Sequence, residues 1–326
     1  MAKKTLKYMS LLIVLILGFL IYTGWASDIP HDKLAEKYAV GASDFIDLPS
    51  GARAHYRLQG NDQGPRLLLL HGSNASLHTW EGWVNALEED YFIATVDLPG
   101  HGLTGATPTD NYLYDGMVAF LDEFTNEIGF ESFALGGNSM GGAVTLKYAL
   151  THPEQLTGII LVDAAGIDVP ASAAHKVDFP LAFQLAGRWY TDWIFENITP
   201  RGFIEEGLNK SVTNKAIATP EAIDLYWELV RHPGNRRATG LRFAWYREGR
   251  SALPIEKIAL PTLIIWGEDD KLIPVEVAHE MHKRIDGSQM QLFKDMGHIP
   301  MEEYPIETSA AARAFLRQLK NKADSR

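Results

Sequence analysis

The chain has 326 residues, 46% of them hydrophobic, with a formal net charge of −11 and no cysteine. That length and apolar content suffice for one large core carrying an insertion, whereas the negative charge argues against a nucleic-acid partner, because phosphate binding needs a positive face. Without cysteine there is no disulfide framework, no thiolate metal site and no lipoprotein acylation site.

The chain opens with Lys3, Lys4 and Lys7, then the apolar run 8–22 and Gly24-Trp25, with Asp28 and Asp32 beyond. Residues 1–27 read as an export or anchor segment. The charge asymmetry places the lysines on the cytoplasmic side and the rest of the chain on the extracytoplasmic (periplasmic) side. The run is at the lower edge of spanning length, Tyr22 and Trp25 suit a membrane interface, and Gly24-Trp25-Ala26 is a weak cleavage site. Membrane anchoring is therefore expected, with secretion after signal cleavage as the alternative.

Beyond this segment, 45–48 and 54–58 straddle Pro49-Ser50-Gly51 and read as a leading hairpin. Short apolar runs at 66–71, 91–97, 132–137, 157–163, 262–266 and 290–293 alternate with amphipathic segments at 75–88, 114–128, 140–151, 275–285 and 306–321. The pattern predicts an α/β protein whose eight strands form a mostly parallel sheet with helices on both faces. Between Gly166 and about Leu260 the alternation stops and aromatic-rich helical stretches take over. This reads as a helical cap inserted after the sixth strand, dividing the chain into 28–165, the cap at 166–258, and 259–326. A cap over a reaction centre forms the substrate pocket and excludes water. Within it, Arg231, Arg236, Arg237, Arg242, Arg247 and Arg250 are opposed in their own stretch by Glu248 alone. They suit anionic headgroups or a substrate carboxylate, or else pairing with acids of the main domain.

The chemistry centres on Gly137-Asn138-Ser139-Met140-Gly141-Gly142, directly after the apolar run 132–135. A serine on a sharp strand-to-helix turn takes positive φ, needs glycine neighbours and lifts its hydroxyl above the sheet edge, near the positive end of the next helix. Ser139 is the expected nucleophile. Its base is expected late in the chain, and His298, in Gly297-His298-Ile299, follows the last strand. Of the other histidines, His279 and His282 read as a solvated helix face and not a metal pair, and His78 and His101 fall in loops around the pocket. The acid is expected on a loop leaving a buried strand. Asp270 is the first choice, then Asp269, then Asp163. For the oxyanion, Met140 supplies one main-chain N–H, and the run 66–70 ending in His71-Gly72-Ser73-Asn74 supplies the other through Ser73. His71, Asn74 and Asn138 are the candidate substrate contacts. No cofactor or metal is expected.

Together, His71-Gly72-Ser73, Asp97-Leu98-Pro99-Gly100-His101-Gly102, Gly137 to Gly142, Gly267-Glu268-Asp269-Asp270 with Pro274, and Gly297-His298 resemble the motifs of the α/β-hydrolase superfamily, in its order, over about residues 43 to 320. The resemblance implies the α/β-hydrolase fold, a triad of Ser139, Asp270 and His298, and oxyanion positions at Ser73 and Met140. Serine at position 139 sets the chain apart from the haloalkane dehalogenases and epoxide hydrolases, which carry aspartate there. The motifs are similar both to lipases and esterases and to hydrolases that cleave carbon–carbon bonds of vinylogous diketo acids. The latter usually show Gly-Pro-Gly soon after His-Gly and a tryptophan after the base histidine, where this chain has Asn74-Ala75-Ser76 and Ile299. The expectation is therefore a serine hydrolase of small-molecule or lipid esters working through an acyl-enzyme. The alternatives are a carbon–carbon hydrolase and a binding protein that kept the fold without the reaction.

Overall fold

The computed structural model describes residues 24–324 except 189, 191, 250 and 251, together with residues 8 and 18. Eight strands form one sheet: β1 (Ser43–Asp47), β2 (Arg53–Gly60), β3 (Arg66–Leu70), β4 (Phe92–Val96), β5 (Phe133–Asn138), β6 (Leu156–Val162), β7 (Thr262–Gly267) and β8 (Gln289–Phe293). Their order across the sheet is β1-β2-β4-β3-β5-β6-β7-β8. β2 runs antiparallel to β1 and to β4, and every later pairing is parallel.

Parallel strands need crossovers, and those helices cover both faces of the sheet, so central strands are apolar throughout. β5, β6 and β7 are buried almost end to end. Successive side chains still divide between the faces, as the two-residue period requires. Leu68, Leu70, Leu135, Leu161 and Trp266 belong to one core, with α3 (Tyr114–Glu127), α4 (Met140–Thr151) and α10 (Glu276–Arg284). Leu67, Leu69, Ile160, Val162 and Ile265 belong to the other, against α2 (Glu81–Leu87) and α12 (Pro305–Asp324). Burying one leucine contributes about 1.5 to 3 kcal/mol, so these two layers dominate the stability.

Between β6 and β7 the chain forms a helical insert: α5 (Leu181–Leu185), α6 (Asp192–Asn197), α7 (Arg201–Ser211), α8 (Pro220–Val230) and α9 (Asn235–Arg247). Leu208, Val212 and Ile223 of this insert join the second core. A helix near the N-terminal side of the described residues has no counterpart in the sequence reading. α1 (His31–Tyr38) buries only Leu34 and Tyr38, four residues apart, in a small cluster with Leu103 and Leu229. Two apolar positions are too few to make a helical period visible.

The expected anchor lies outside the described residues from 1 to 23, apart from 8 and 18. Among the described residues no helix is long and apolar enough to cross a membrane. The end of that segment is tied to the folded domain: Trp25 bridges Ile198, and the Ala26 N–H donates to the Asn197 carbonyl at 3.0 Å.

Candidate active site

β5 delivers Ser139 to the C-terminal edge of the parallel strands, where α/β sheets place their ligands. Ser139 has φ 52° and ψ −115°, a conformation that non-glycine residues adopt only when their surroundings impose it. The imposing contacts are main-chain ones. Its N–H donates to Val162 O at 3.0 Å, and its own carbonyl accepts from Ala143 and Ala165 N–H. A Cβ at Gly137 would stand 2.3 Å from Gly141 O, and one at Gly141 would stand 2.4 Å from Leu70 O, so the turn closes only around glycine.

Two other strand ends bring in the acid and the imidazole. Asp270 follows β7, and its Oδ1 accepts from the N–H groups of Leu272 at 2.7 Å and Ile273 at 3.0 Å. Its Oδ2 accepts from His298 Nδ1 at 2.7 Å. Three donors on its two oxygens hold the Asp270 carboxyl in place facing the ring. The proton on Nδ1 leaves the Nε2 lone pair as the basic position. His298 follows β8 and is held by its main chain: its N–H donates to Ser211 O at 2.7 Å, and its carbonyl accepts from Asn138 Nδ2 at 3.0 Å. Asp269 and Glu268 are exposed. Asp163 is fully buried beside Asp270 and directs Oδ1 to the Gly267 N–H at 3.0 Å, so it is not the partner of the ring.

Ser73 and Met140 flank Ser139 in the site, and among the described residues neither main-chain N–H has a hydrogen-bond acceptor. Two unpaired donors, one at the start of α4 and one in the loop after β3, can receive negative charge on a bound oxygen. Asn74, with φ 59°, lines the cavity but commits its Oδ1 to Thr239 Oγ1 of α9 at 2.8 Å, joining the loop after β3 to the insert. Asn138 also lines it, with its amide NH₂ spent on Val162 O and His298 O.

His71 corrects the expectation of a substrate contact. It is fully buried, its Nδ1 donates to Gly72 O at 2.7 Å, and its Nε2 accepts from the Leu98 N–H at 3.0 Å. Both ring nitrogens are spent on main chain, so the residue braces the loops after β3 and β4. Burial lowers its pKa and keeps it neutral in that role. His101 is likewise buried and packs on His71 with ring centroids 5.0 Å apart. Neither His78 nor His101 lines the cavities at Ser139.

Two cavities meet at Ser139, and Ser73, His298, Phe183 and Leu272 line both. The narrow one, about 90 Å³, runs between Phe203, Ile204, Leu208, Tyr226 and Ile299. The wider one, about 430 Å³, runs under Tyr114, Phe179, Phe243 and Tyr246, with Gln184 and Arg247 in its wall.

Of the readings open for the arginines of the insert, pairing with acids of the main domain holds at two of them. Arg236 is buried and pairs with Asp28 at 2.6 Å; Arg237 pairs with Asp110 at 2.7 Å. Arg231 donates to Ser27 O and stacks on Trp227. Arg242 is fully buried, and Arg247 donates to the carbonyls of Phe183, Gln184 and Ala186 at the end of α5. Arg250 lies outside the described residues. Acids and carbonyls distant in sequence take up Arg231, Arg236, Arg237 and Arg247, whereas among the described residues Arg242 reaches only Thr239 Oγ1, at 3.5 Å.

Glu303, in α11 (Pro300–Glu303), has no sequence signal. It is buried, its Oε2 accepts from the Gly297 N–H at 2.6 Å, and its Oε1 takes the N–H groups of Thr213 and Asn214. It thereby fixes the loop of His298 against the end of α7. The second of two adjacent glutamates, three residues after a proline, gives no hint of such a role.

Among the described residues, Asp163, Asp270 and His298 are the one group of side chains close enough to share an ion. The Asp270–His298 hydrogen bond already occupies two of its atoms.

The model of the alpha/beta hydrolase fold family matches residues 65–305. The chain is 29% identical to the 2-hydroxy-6-oxo-6-(2'-aminophenyl)hexa-2,4-dienoic acid hydrolase of Metapseudomonas resinovorans, over 87% of this chain and 94% of that protein. It is 28% identical to Lipase 3 of Moraxella sp. (strain TA144), over 84% of each. In fold it is similar to the crystal structure of a membrane phospholipase A described as a bacterial virulence factor, with a TM-score of 0.69 over 98% of this chain and 99% of that one, at 24% identity.

Proposed function

We propose, from the premise that the chain belongs to the α/β-hydrolase family, that it is a serine hydrolase of carboxylic esters, cofactor-free and acting through an acyl-enzyme. The observation that carries this reading is the hydrogen bond from His298 Nδ1 to Asp270 at 2.7 Å in a site whose two cavities are both lined by His298 and Ser139. In this scheme His298 Nε2 takes the proton of Ser139 Oγ as the oxygen attacks the ester carbonyl, and the Ser73 and Met140 N–H groups hold the oxyanion. His298 then gives that proton to the leaving alcohol. A water molecule repeats the sequence on the acyl-enzyme, with His298 again as base, and releases the acid and Ser139. The insert acts as a cap: one arm takes the acyl chain, the other the alcohol.

The substrate class is a small-molecule or lipid ester, as the likeness to a lipase supports. The likeness to a dienoic acid hydrolase keeps carbon–carbon cleavage as the second reading. Ile299, in the wall of the narrow arm where those enzymes usually carry tryptophan, favours the ester. We further propose that residues 1–27 hold the enzyme in a membrane with the hydrolase domain on the extracytoplasmic side. The ties from Trp25 and Ala26 into the insert favour the uncleaved form, because cleavage after Ala26 would sever the chain where it is bound.

The test is a panel of p-nitrophenyl esters of graded acyl length and one vinylogous diketo acid, assayed with the full chain in detergent. Ester turnover that disappears in Ser139→Ala supports the reading; turnover of the diketo acid alone overturns it in favour of the second. N-terminal sequencing of the membrane fraction tests the anchor, since a mature chain starting after residue 26 contradicts it.

A further inference from the structure

Behind the Asp270–His298 pair lies a carboxyl that the acyl-enzyme scheme leaves unused. Asp163 directly follows β6, fully buried, with φ 44°. Its Oδ1 accepts from the Gly267 N–H, while its Oδ2 has no hydrogen-bond partner among the described residues. One oxygen of Asp163, one of Asp270 and one ring nitrogen of His298 all lie within 4.8 Å of one another.

The charged and titratable groups facing Asp163 are Asp270 from the loop after β7, His298 from the loop after β8 and, on α11, Glu303. Among the described residues no lysine or arginine pairs with it. Two carboxylates this close in a dry site do not both ionise; one keeps its proton. The donors decide which. Asp270 receives two main-chain N–H groups and the imidazole N–H, whereas Asp163 receives one main-chain N–H. The negative charge therefore belongs on Asp270 and the proton on Asp163. Burial first, and the charge of Asp270 second, push the Asp163 carboxyl well above the usual carboxylate range.

We propose that Asp163 is a positioning residue, a neutral carboxylic acid whose Oδ2–H donates to the Asp270 carboxylate and so moderates its pull on the proton of His298. The inference rests on the reading of Ser139, Asp270 and His298 as a triad. Oδ2, unpartnered as an acceptor, becomes a satisfied donor under it. A full carboxylate at Asp270 with no such donor would hold His298 more firmly protonated, and the serine would lose its base at mildly acidic pH.

The experiment is the rate at which a fluorophosphonate labels Ser139 in the full-length protein, from about pH 5 to about pH 9. Labelling needs no knowledge of the substrate. Absence of labelling in the wild type sinks the triad reading before any variant is compared. Asp163→Val removes the donor, and the midpoint of the acid limb is expected to rise by about half a pH unit. Asp163→Asn returns an amide N–H to Asp270 and an oxygen to the Gly267 N–H, and is expected to restore the wild-type midpoint. An acid limb that falls by about one unit in Asp163→Asn shows that a negative charge was removed and overturns the proposal. Should the valine variant not fold, infrared spectroscopy decides. A protonated-carboxyl stretch present at neutral pH in the wild type and missing in Asp163→Asn supports the neutral acid; identical spectra reject it.

Discussion

At the sheet edge, β5 and β6 are walled in on both faces, and Ser139 and Asp163, each with positive φ, are held there by main-chain hydrogen bonds. In the helical insert, Phe179, Leu181, Trp193 and Ile194 stay exposed, and Arg236, Arg237 and Arg247 are each satisfied separately by acids or carbonyls. Strained residues cost about 1 to 3 kcal/mol each and persist only where surrounding structure over-determines them. The sheet edge meets that condition and the insert does not. Under the proposed function, reactivity is assigned to the rigid layer and discrimination between substrates to the insert.

The comparison breaks most visibly at the serine. Ser139→Ala is expected to lower kcat by at least about 10⁴-fold with the fold intact, measured by ester turnover and circular dichroism. Next comes the structural acid of the same layer. Asp97 is fully buried and accepts from His55 Nδ1 at 2.7 Å and from the N–H groups of Leu77 and Leu103. Burial alone would raise its pKa, yet His55 holds it below the usual range. Asp97→Ala should cost about 3 to 5 kcal/mol in denaturant unfolding, because the other groups are left buried and unpaired. In the wild type this contribution is present above the unfolded carboxyl pKa and is lost as the pH falls through the native one.

His232 marks the seam between the layers. Its Nε2 lies 3.0 Å from His31 Nδ1 of α1, and burial, then the neighbouring His31, lower its pKa to about 4. The native state refuses a proton that the unfolded chain accepts, so stability should drop as the pH falls from about 6.5 towards 4, by up to about 1.4 kcal/mol per unit. His232→Asn should flatten that slope. In the insert proper, Phe203→Ala opens the narrow arm, and kcat/KM for bulky relative to small esters should rise by about 10- to 100-fold, with little change for the smallest ester. The smallest effect belongs to the exposed Arg237–Asp110 pair, where Arg237→Ala should change stability by less than about 1 kcal/mol.

The same contrast explains what the sequence discloses. Apolar runs such as 67–70 and 159–162 report strands directly, since burial on both faces leaves no polar positions within them to confuse the period. The serine turn is legible because sterics restrict its neighbours to glycine. His71 misleads because a histidine beside a reactive loop looks the same whether it faces substrate or spends both nitrogens on main chain. The arginines' pairing with main-domain acids is among the readings their stretch allows and holds at Arg236 and Arg237, but the partners, Asp28 and Asp110, are about 125 to 210 positions away and no local pattern names them. Asp163 is visible as an acid after a strand, but its protonation depends on the donors that fold around Asp270, which no local pattern records.

The central claim is that Ser139 is made reactive by His298 and Asp270. Mass-spectrometric mapping of a fluorophosphonate adduct tests it most directly. The account predicts one phosphonylated residue, Ser139, in the wild type, and no adduct when His298 is changed to Ala. An adduct on another residue, or undiminished labelling of Ser139 in His298→Ala, contradicts it.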